Sequence, residues 1–342
     1  MTRRRIVTPG RLLAAGALLA VVTFGILWLA PSGDYLVLPD EAHPVAPLIT
    51  VAKPRPGGGS DGVHFVDVIE RRATLIESIF PGIRAGSTLL PGSAVNPHGV
   101  SDEIRRQAHL QQMARSQEIA AAVALEKLGY DVKVRANGAL VASVFEDLPA
   151  EGRLRAGDVI VAVDGKPVRS TLDLKRLVSA RKPGSKLTLT ISDSKARRRV
   201  PLVTARNPED SSRSVIGVLV EQAADIHLPF KVTIDAGNIG GPSAGLAFAL
   251  DLMEKLGQDV DRGHEIAATG ELALNGAVGP IGGIKQKTLG ARKAGVDAFL
   301  VPVENAAEAR RYADGLRIVP VRTVDEALRF LHTLPEKTAP PA

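Results

Sequence analysis

The sequence predicts an α+β protein with one membrane-spanning helix near its N-terminus. Three observations lead to this fold class. The stretch Leu12–Ala30 carries no charged residue, short strand-like runs follow one another between Tyr130 and about Ala205, and strand-like and helix-like segments alternate from Val215 onward. Mixed strands and helices in this order are typical of α+β domains. At 342 residues, the chain is long enough for two domains that each bury a core.

The N-terminal apolar stretch, residues 12–30, predicts a transmembrane anchor. At about 1.5 Å of rise per residue, a helix of this length spans roughly 28 Å, close to the hydrocarbon thickness of a bilayer. The basic tail of residues 1–11 precedes it, and acidic residues follow it. Positive charge favours the cytoplasmic side. We therefore expect a single-pass protein of the cell membrane with a cytoplasmic N-terminus and an extracytoplasmic catalytic part.

A cleaved signal peptide is the alternative for the same stretch. Cleavage after Ala30 would place Trp28 where a small residue is preferred and Pro31 just past the cut. These residues favour an uncleaved anchor.

The composition excludes several function classes. The formal net charge is +6, but the basic clusters are not interleaved with aromatic residues, which make up only 4% of the chain. We therefore expect no nucleic-acid partner. The chain has no cysteine, which excludes disulfides, thiolate zinc sites and a cysteine nucleophile. We expect no metal and no cofactor.

The region between the anchor and the first long helix contains few predicted elements. Residues 31–62 are predicted to be a linker, because the run "AKPRPGGGSDG" is rich in Pro and Gly. Val63–Glu70 alternates like a strand, and Leu75–Ile79 is predicted to be its hairpin partner. Ser101 can then cap a long helix that stops at Gly129.

A small domain is predicted over residues 130–205. The strand-like runs "GALVASV", "GDVIVAVDG" and "KLTLTIS" surround a helix near Leu172–Ala180, and the stretch "GALVASVFEDLPAEGRLRAGDVIVAVDGKPV" resembles a bacterial PDZ domain. The resemblance implies a groove in which an extended peptide adds to an edge strand beside the helix. Val132 and Val134 would line it on the strand, and Leu172 and Val178 on the helix. A packing domain that binds no peptide is the alternative.

The stretch "GGPSAGLAFAL" places Ser243 among glycines at the front of an apolar run. Gly240, Gly241 and Gly245 allow a close approach of the backbone, and a helix begins at or just after the serine. A helix N-terminus offers unpaired amides, here those of Ser243 and Ala244, which can stabilise an oxyanion. The alternative is that Ser243 only caps the helix.

A serine nucleophile needs a base, and the seven histidines lie in no distinctive turn. The better candidate is Lys287, on a helix predicted to start at Ile284. A step of about 100° per residue sorts the residues of this helix onto two sides. Lys287 shares its side with Ile284, Ala291 and Ala294, while the opposite side carries Lys285, Arg292 and Lys293. A lysine at the rim of an amphipathic face is the alternative.

To act as a base near neutrality, Lys287 needs a pKa well below its ordinary value of roughly 10.4, and burial can lower it. Thr269, in "AATGEL", can hydrogen-bond the neutral amine from an adjacent strand and hold it toward Ser243. The alternative is that Thr269 is present only for its β propensity.

Three motifs carry a second resemblance. The stretches "GGPSAGLAFAL", "ATGELALNGAVGPIGGIKQKTLGARKAG" and "VPVENAAEA" resemble the proteolytic domain of the Lon family, a Ser-Lys peptidase fold of the ribosomal protein S5 domain 2 type. The resemblance runs over roughly residues 214–332, and the catalytic domain is predicted over residues 214–334. It implies that Ser243 is the nucleophile, Lys287 the general base and Thr269 the residue that orients the base.

The chain also departs from the Lon pattern in two ways. Gly240 stands where Lon proteases commonly have an acidic residue, so details of their pocket do not transfer. The chain has no G-x-x-x-x-G-K-[ST] loop, so we expect no ATP-driven unfolding by this chain.

The segment before the small domain carries part of the same resemblance. "GVHFVDVIERRATLIESIFPG" and "ARSQEIAAAVALEKLG" resemble the opening strands and first helix of the Lon peptidase domain. We therefore expect residues 63–129 to fold with residues 214–334, with the PDZ module inserted between them and a tail at 335–342. The whole resembles the membrane-anchored PDZ-Lon proteins of Gram-positive bacteria.

These resemblances imply an ATP-independent serine endopeptidase that cleaves proteins or peptides at the extracytoplasmic face of the cell membrane. We expect membrane lipid as a further partner through the anchor, no ATP, and a homo-oligomer as one state of assembly. One alternative is a hydrolase of the G-x-S-x-G type, with Asp297 and His332 as triad partners. Another is a non-catalytic membrane scaffold that binds peptides through the PDZ module.

Overall fold

The computed structural model describes residues 9–52, 62–96, 102–145, 147–192, 197–206 and 214–337. Its α-helices are α1 (Pro9–Leu29), α2 (Leu75–Ile79), α3 (Gly92–Val95), α4 (Asp102–Lys127), α5 (Thr171–Ser179), α6 (Gly245–Lys255), α7 (Ile284–Ala294), α8 (Ala306–Tyr312) and α9 (Val324–Leu331). Short 3-10 turns cover Ala46–Leu48, Pro81–Ile83 and Val303–Asn305.

The strands of the N-terminal half are β1 (Pro31–Pro44), β2 (Ile49–Val51), β3 (Val63–Thr74), β4 (Thr88–Leu90), β5 (Lys133–Val144), β6 (Val159–Val163), β7 (Lys166–Pro167), β8 (Lys186–Ser192) and β9 (Arg197–Val203). The strands that follow are β10 (Ala205–Arg206), β11 (Ser214–Val215), β12 (Val218–His227), β13 (Val232–Ile234), β14 (Ile266–Ala268), β15 (Glu271–Leu272), β16 (Val278–Gly279), β17 (Ala298–Pro302) and β18 (Arg317–Val321).

A mixed sheet joins the two ends of the chain. Its six strands run in the order β18-β17-β14-β3-β1-β4. The four strands β3, β14, β17 and β18 are parallel to one another. β1 is antiparallel to both of its neighbours, β3 and β4. Strands from before and after the small domain thus share one sheet, and the small domain is an insertion in this larger domain.

The sheet has a core on each face. α4 and α6 cover one face, where Phe65, Leu125 and Phe248 are fully buried. α7 and α8 cover the other, where Val66, Ile284 and Phe299 pack together. The first ten residues of α6 are all buried, which explains the unbroken apolar run in its sequence, because a helix that is apolar on every side belongs in a core.

The inserted domain has its own sheet and core. The sheet runs in the order β12-β5-β6-β8-β9, with β7 paired to β6. Its core contains Ile160, Leu189 and Ile191, all fully buried, and α5 packs beside the sheet through Leu174 and Val178. This sheet extends past residue 205, because β12 completes it.

The linker prediction over residues 31–62 is wrong for Pro31–Val51. β1 pairs with β3 along most of its length, and Tyr35, Leu36 and Val37 are buried. The Pro and Gly content that suggested a linker lies in residues 53–61, which are outside the described residues, and the short apolar run 35–38 within β1 was overlooked. The body therefore begins directly after α1.

Two smaller predictions in this region also need correction or comment. Leu75–Ile79 is a helix rather than a strand, because Thr74 accepts a hydrogen bond from the Glu77 amide while the Glu77 side chain accepts one from the Thr74 amide. This capping box determines the local structure. The hairpin partner of β3 is β1 instead. Ser101, the predicted helix cap, lies outside the described residues.

α1 is the one described helix long and apolar enough to cross a membrane, with its candidate span at Leu12–Leu29 and none of that span buried. An apolar helix with no protein around it fits either a membrane span or a signal sequence. Most of the predicted basic tail, residues 1–8, lies outside the described residues.

Candidate active site

The glycine turn before α6 is held against α4. The Gly241 amide donates to the His109 carbonyl over 2.8 Å, and Gly241 has a φ of +89°. A Cβ placed on Gly240 would lie only 2.7 Å from the Cβ of His109. Ser116 Oγ donates to the Pro242 carbonyl over 3.0 Å. The glycines are therefore required by a close approach to α4 and by a positive φ.

The peptide bond after Ser243 has a fixed orientation. The Ser243 carbonyl accepts from the Gly270 amide at 2.8 Å and from Thr269 Oγ1 at 3.0 Å. In a trans peptide the following N–H points the opposite way, so the Ala244 amide is directed away from Thr269. Within the described part of the chain, the amides of Ser243 and Ala244 have no acceptor. Both are available to a negatively charged oxygen.

The Ser243 side chain does not cap α6. The residue in the cap position is Ala244, and no side chain caps this helix. The Ser243 hydroxyl is instead turned toward α7, where Lys287 Nζ lies 2.7 Å from its Oγ. The capping alternative is therefore wrong for this serine.

Lys287 is buried, with 3% of its surface exposed. Its Nζ is 2.7 Å from the Val66 carbonyl oxygen on β3 and 3.4 Å from Thr269 Oγ1. Burial lowers the pKa of the Lys287 ammonium to about 8. The negative charge of Asp67 has the opposite, smaller effect and raises this pKa. The structure thus brings Ser243, Lys287 and Thr269 together, with Thr269 closer to the Ser243 carbonyl than to the lysine.

The helical-face argument for α7 holds with one exception. Ile284 and Ala291 are buried beside Lys287, whereas Ala294 is exposed at the end of the helix. Lys285 is directed elsewhere, since its Nζ donates to the Ser87 carbonyl at 2.8 Å. Ala294 differs because the helix ends there and the chain turns at Gly295, which has a φ of +72°.

Acidic residues near Lys287 were missed by sequence reasoning. Asp67 follows Val66 on β3, and its Oδ1 is 3.6 Å from His43 Nε2 on β1, which is 3.9 Å from Asp40 Oδ2. Burial first, and then the charge of Asp40, raise the pKa of the Asp67 carboxyl. β1 can pass this close to α7 because residue 290 on the helix is a glycine. A Cβ on Gly290 would lie only 2.0 Å from the carbonyl oxygen of Asp40.

An acidic residue within a strand that alternates toward a core was the available signal for Asp67. Its partners could not be found in the same way, because β1 was interpreted as linker. Asp40, His43 and Asp67 are also close enough together to approach one cation, as are Glu254, Asp259 and Asp261. Backbone amides of Val260 and Asp261 already donate to Glu254, and we assign no metal to either group.

The triad alternative with Asp297 and His332 is not supported. His332 is exposed at the end of α9. Asp297 accepts from Lys337 Nζ at 2.8 Å and lies 3.3 Å from His264 Nδ1. Within the described residues, neither Asp297 nor His332 contacts Ser243, because other parts of the fold hold them.

The predicted PDZ groove needs correction. The edge strand beside α5 is β12, not the segment with Val132 and Val134, since Val134 on β5 pairs with Ile226 on β12. Val178 is buried in the domain core, and the side chain of Leu172 lies outside the described residues. The error arose because the edge strand is supplied by residues after 214, beyond the predicted domain boundary.

Comparison with known proteins agrees with this architecture. Residues 210–333 match the Lon protease (S16) C-terminal proteolytic domain, and residues 127–201 match the PDZ domain family. The fold and the site therefore define a Lon-type proteolytic domain that carries an inserted PDZ domain. The two resemblances found in the sequence are confirmed. A proteolytic domain of this family implies a serine peptidase.

Individual relatives cover parts of the chain. Lon protease 3 of Sorangium cellulosum is 37% identical over 124 residues, which cover 35% of this chain and 14% of that protein. Lon protease 2 of Bacillus subtilis is 36% identical over 104 residues, which cover 30% of this chain and 18% of that protein. The chain thus spans less than a fifth of either relative. The crystal structure of the PDZ domain of the SdrC-like protein from Listeria monocytogenes is 24% identical with a TM-score of 0.24, and covers 26% of this chain and 92% of that one.

Proposed function

We propose that this protein is a membrane-anchored, ATP-independent serine endopeptidase with a catalytic dyad of Ser243 and Lys287. The observation that carries the proposal is the 2.7 Å contact between Ser243 Oγ and Lys287 Nζ at a buried position. A hydroxyl is a weak nucleophile until a neighbouring base takes its proton, and this amine is the base that the geometry favours.

The hydrogen-bonding capacity of a neutral amine fits its surroundings. A neutral lysine has two N–H donors and one lone pair. The acceptors Val66 O and Thr269 Oγ1 can take the two donors, because the Thr269 hydroxyl hydrogen is committed to the Ser243 carbonyl. The lone pair is then left for the Ser243 hydroxyl. Thr269 supports both partners of the dyad and does not itself react.

The reaction follows from these positions. Lys287 takes the Ser243 proton as Oγ bonds to the carbonyl carbon of a peptide. The carbonyl oxygen becomes negative and accepts hydrogen bonds from the amides of Ser243 and Ala244. Lys287 then gives its proton to the departing amine as the C–N bond breaks. Water, deprotonated by the same lysine, then attacks the acyl carbon. The bond from this carbon to Oγ breaks, Lys287 returns its proton to Ser243 Oγ, and the carboxylic acid leaves.

The fraction of uncharged Lys287 sets the pH range. With a pKa of about 8, about one molecule in ten has a neutral Lys287 at pH 7. We therefore expect activity to rise with pH as it passes through about 8. Without burial the same lysine would be almost entirely protonated at neutral pH.

The remaining modules give the peptidase its context. In this proposal α1 is an uncleaved anchor, the N-terminus is cytoplasmic and the catalytic domain is extracytoplasmic. The PDZ domain recruits or orients the tail of a protein substrate, which adds as a strand beside β12, the edge strand next to α5 in the described part of the chain. Protein or peptide substrates and membrane lipid are the expected partners, with neither ATP nor a cofactor involved. Association of several copies is a further expectation.

The test is labelling with a serine-reactive acylating probe across pH. We expect labelling of the wild-type protein to increase through pH 8, and expect Ser243→Ala and Lys287→Ala to remove it. Far-ultraviolet circular dichroism of each variant checks that the fold is retained. Labelling at wild-type rates in folded Lys287→Ala would exclude the dyad.

A further inference from the structure

The last residue of α2 and the turn after it expose a cluster of large apolar side chains. Ile79, Phe80 and Ile83 are 58%, 58% and 44% exposed, and they lie within five consecutive residues together with Pro81 and Gly82. We call residues 79–84 the apolar turn. A soluble surface rarely concentrates apolar side chains in this way without a partner.

The apolar turn is fixed beside the last turn of α1. The amide of Leu75, the first residue of α2, donates to the Ala30 carbonyl at 3.0 Å. Ser78 Oγ donates to Ser32 Oγ at 2.7 Å, and the Arg84 guanidinium lies 5.9 Å from the centre of the Trp28 ring. These three contacts join α2 and the turn to the point where α1 enters the body.

This placement determines the depth of the turn relative to a membrane. The candidate span of α1 is Leu12–Leu29, so Trp28 lies within it, one residue from its end. A group that packs beside Trp28 lies at the same depth. Tryptophan prefers the boundary between headgroups and acyl chains, and an apolar side chain at this depth meets lipid rather than water.

We propose that the apolar turn is a second membrane contact, in which Ile79, Phe80 and Ile83 insert into the headgroup and acyl boundary of the bilayer that α1 crosses. The proposal rests on α1 being a membrane anchor, and it adds to that function a surface of the folded domain. The partner is the lipid bilayer.

The charges around the turn suit an anionic lipid surface. Arg71 and Arg84 both bind the carboxylate of Glu77, which is 3% exposed. Two guanidinium groups share one carboxylate, so this group of three side chains carries a net positive charge. Basic groups at a membrane surface are attracted to anionic headgroups. A cleft of about 270 Å³ between α1 and the turn, lined by Trp28, Leu29, Ile76 and Ile83 among others, opens at the same depth.

Two contacts constrain the domain more than one does. A body joined to the membrane by α1 alone could tilt and rotate about that helix. With the apolar turn also inserted, the edge of the sheet that holds β1 and β4 faces the bilayer, which fixes the height and orientation of Ser243 above the membrane.

The absence of native cysteine allows a direct test by single-cysteine labelling of the full chain. Phe80→Cys is the test position. Leu18→Cys, on α1 and 67% exposed, reports on the anchor, and Val203→Cys, on β9 of the PDZ domain and 47% exposed, is the control. Each variant carries a polarity-sensitive fluorophore and is reconstituted into vesicles of phosphatidylcholine and phosphatidylglycerol. Some of the lipids carry a nitroxide quencher on the acyl chain, near the headgroup or near the chain end.

We expect the Phe80→Cys label to lose most of its emission with the quencher near the headgroup. The Leu18→Cys label should be quenched more by the quencher near the chain end, and the Val203→Cys label should be unaffected by either. Quenching at Leu18→Cys without quenching at Phe80→Cys overturns the second contact and leaves the anchor intact. Lack of quenching at Leu18→Cys overturns both. A blue-shifted, unquenched Phe80→Cys label identifies a contact with a second copy of the chain and also overturns the proposal.

Discussion

The peptidase site and the PDZ groove are positioned by different kinds of contact. At the peptidase site, backbone hydrogen bonds fix the Ser243 peptide, and three atoms lie within 3.4 Å of Lys287 Nζ. At the groove, β12 is the edge strand beside α5 among the described residues, and Leu219 on this strand is 53% exposed. The first site is complete before a substrate arrives. In the proposed function, the second is completed only by the strand that a peptide adds.

This difference has an energetic counterpart. At the first site the desolvation penalty arises on folding. Burial of Lys287 disfavours its charged form and so lowers its pKa. The second site keeps its polar groups in water until a ligand covers them. Substitutions at the first should therefore change chemistry and stability strongly, and those at the second should change binding modestly.

The largest effect is expected for the dyad itself. Ser243→Ala and Lys287→Ala should each lower kcat/KM for an unfolded protein substrate by at least ~1000-fold, as removal of a nucleophile or its base does in other serine peptidases. Lys285→Ala is the matched control, because Lys285 lies two residues away on the same helix and binds Ser87 instead. Steady-state cleavage assays measure all three. An equal loss in Lys285→Ala would mean that helix stability, not the dyad, is being measured.

The next effect concerns stability. An unfolded lysine keeps its proton up to about 10.4, whereas folded Lys287 releases it near pH 8. Between these values the unfolded chain binds more protons, so the free energy of unfolding should rise with pH in the wild type. Lys287→Met should remove this rise and, at pH 7, stabilise the domain by up to about 3 kcal/mol.

Urea denaturation at several pH values between 7 and 10.5 tests this stability prediction, with Lys285→Met as the control. The gain at pH 7 is reduced if the Val66 carbonyl loses a hydrogen bond, so the flattened pH dependence is the more direct readout. A wild-type curve with no rise above pH 8 would show that Lys287 is not buried as a neutral amine.

A smaller effect should identify the influence of Asp67. Its charge raises the pKa of Lys287, so Asp67→Asn should lower that pKa and move the rising limb of the kcat/KM profile to lower pH. His43 and Asp40 face Asp67 from β1. His43→Gln should therefore change the limb less than Asp67→Asn. A limb that stays in place in Asp67→Asn would show that Asp67 does not act on the dyad.

The smallest effect is expected at the groove. Leu219→Lys, on the edge strand β12, should reduce cleavage of a protein substrate several-fold while cleavage of a short peptide stays unchanged, because only the former uses the groove. Val203→Lys is the control on the opposite edge strand, where Val203 is 47% exposed. Equal behaviour of the two variants would remove the PDZ domain from substrate recruitment.

The same two regions differ in how far they could be predicted from the sequence. Ser243 and Lys287 lie in short motifs whose local geometry, a glycine turn and one face of a helix, suggested a role for each, while their contact was implied by the resemblance to Lon proteases. The groove and the Asp67 cluster depend on strands that are distant in sequence. β12 comes after the predicted end of the PDZ domain. β1 lies in a segment that was interpreted as a linker because of the Pro- and Gly-rich run that follows it. Pairing of distant strands is set by the whole sheet, so no local pattern revealed it.

The parallel pairing of β3 with β14 has a consequence for how the protein is made. Val63 lies opposite Ile266, so roughly 200 residues must be synthesised after the first strand before its neighbour exists. Contacts of such long range form late and slowly. The nascent polypeptide therefore leaves the ribosome with Ser243 and Lys287 still unassembled, and under the proposed function it would stay inert until its last third has emerged.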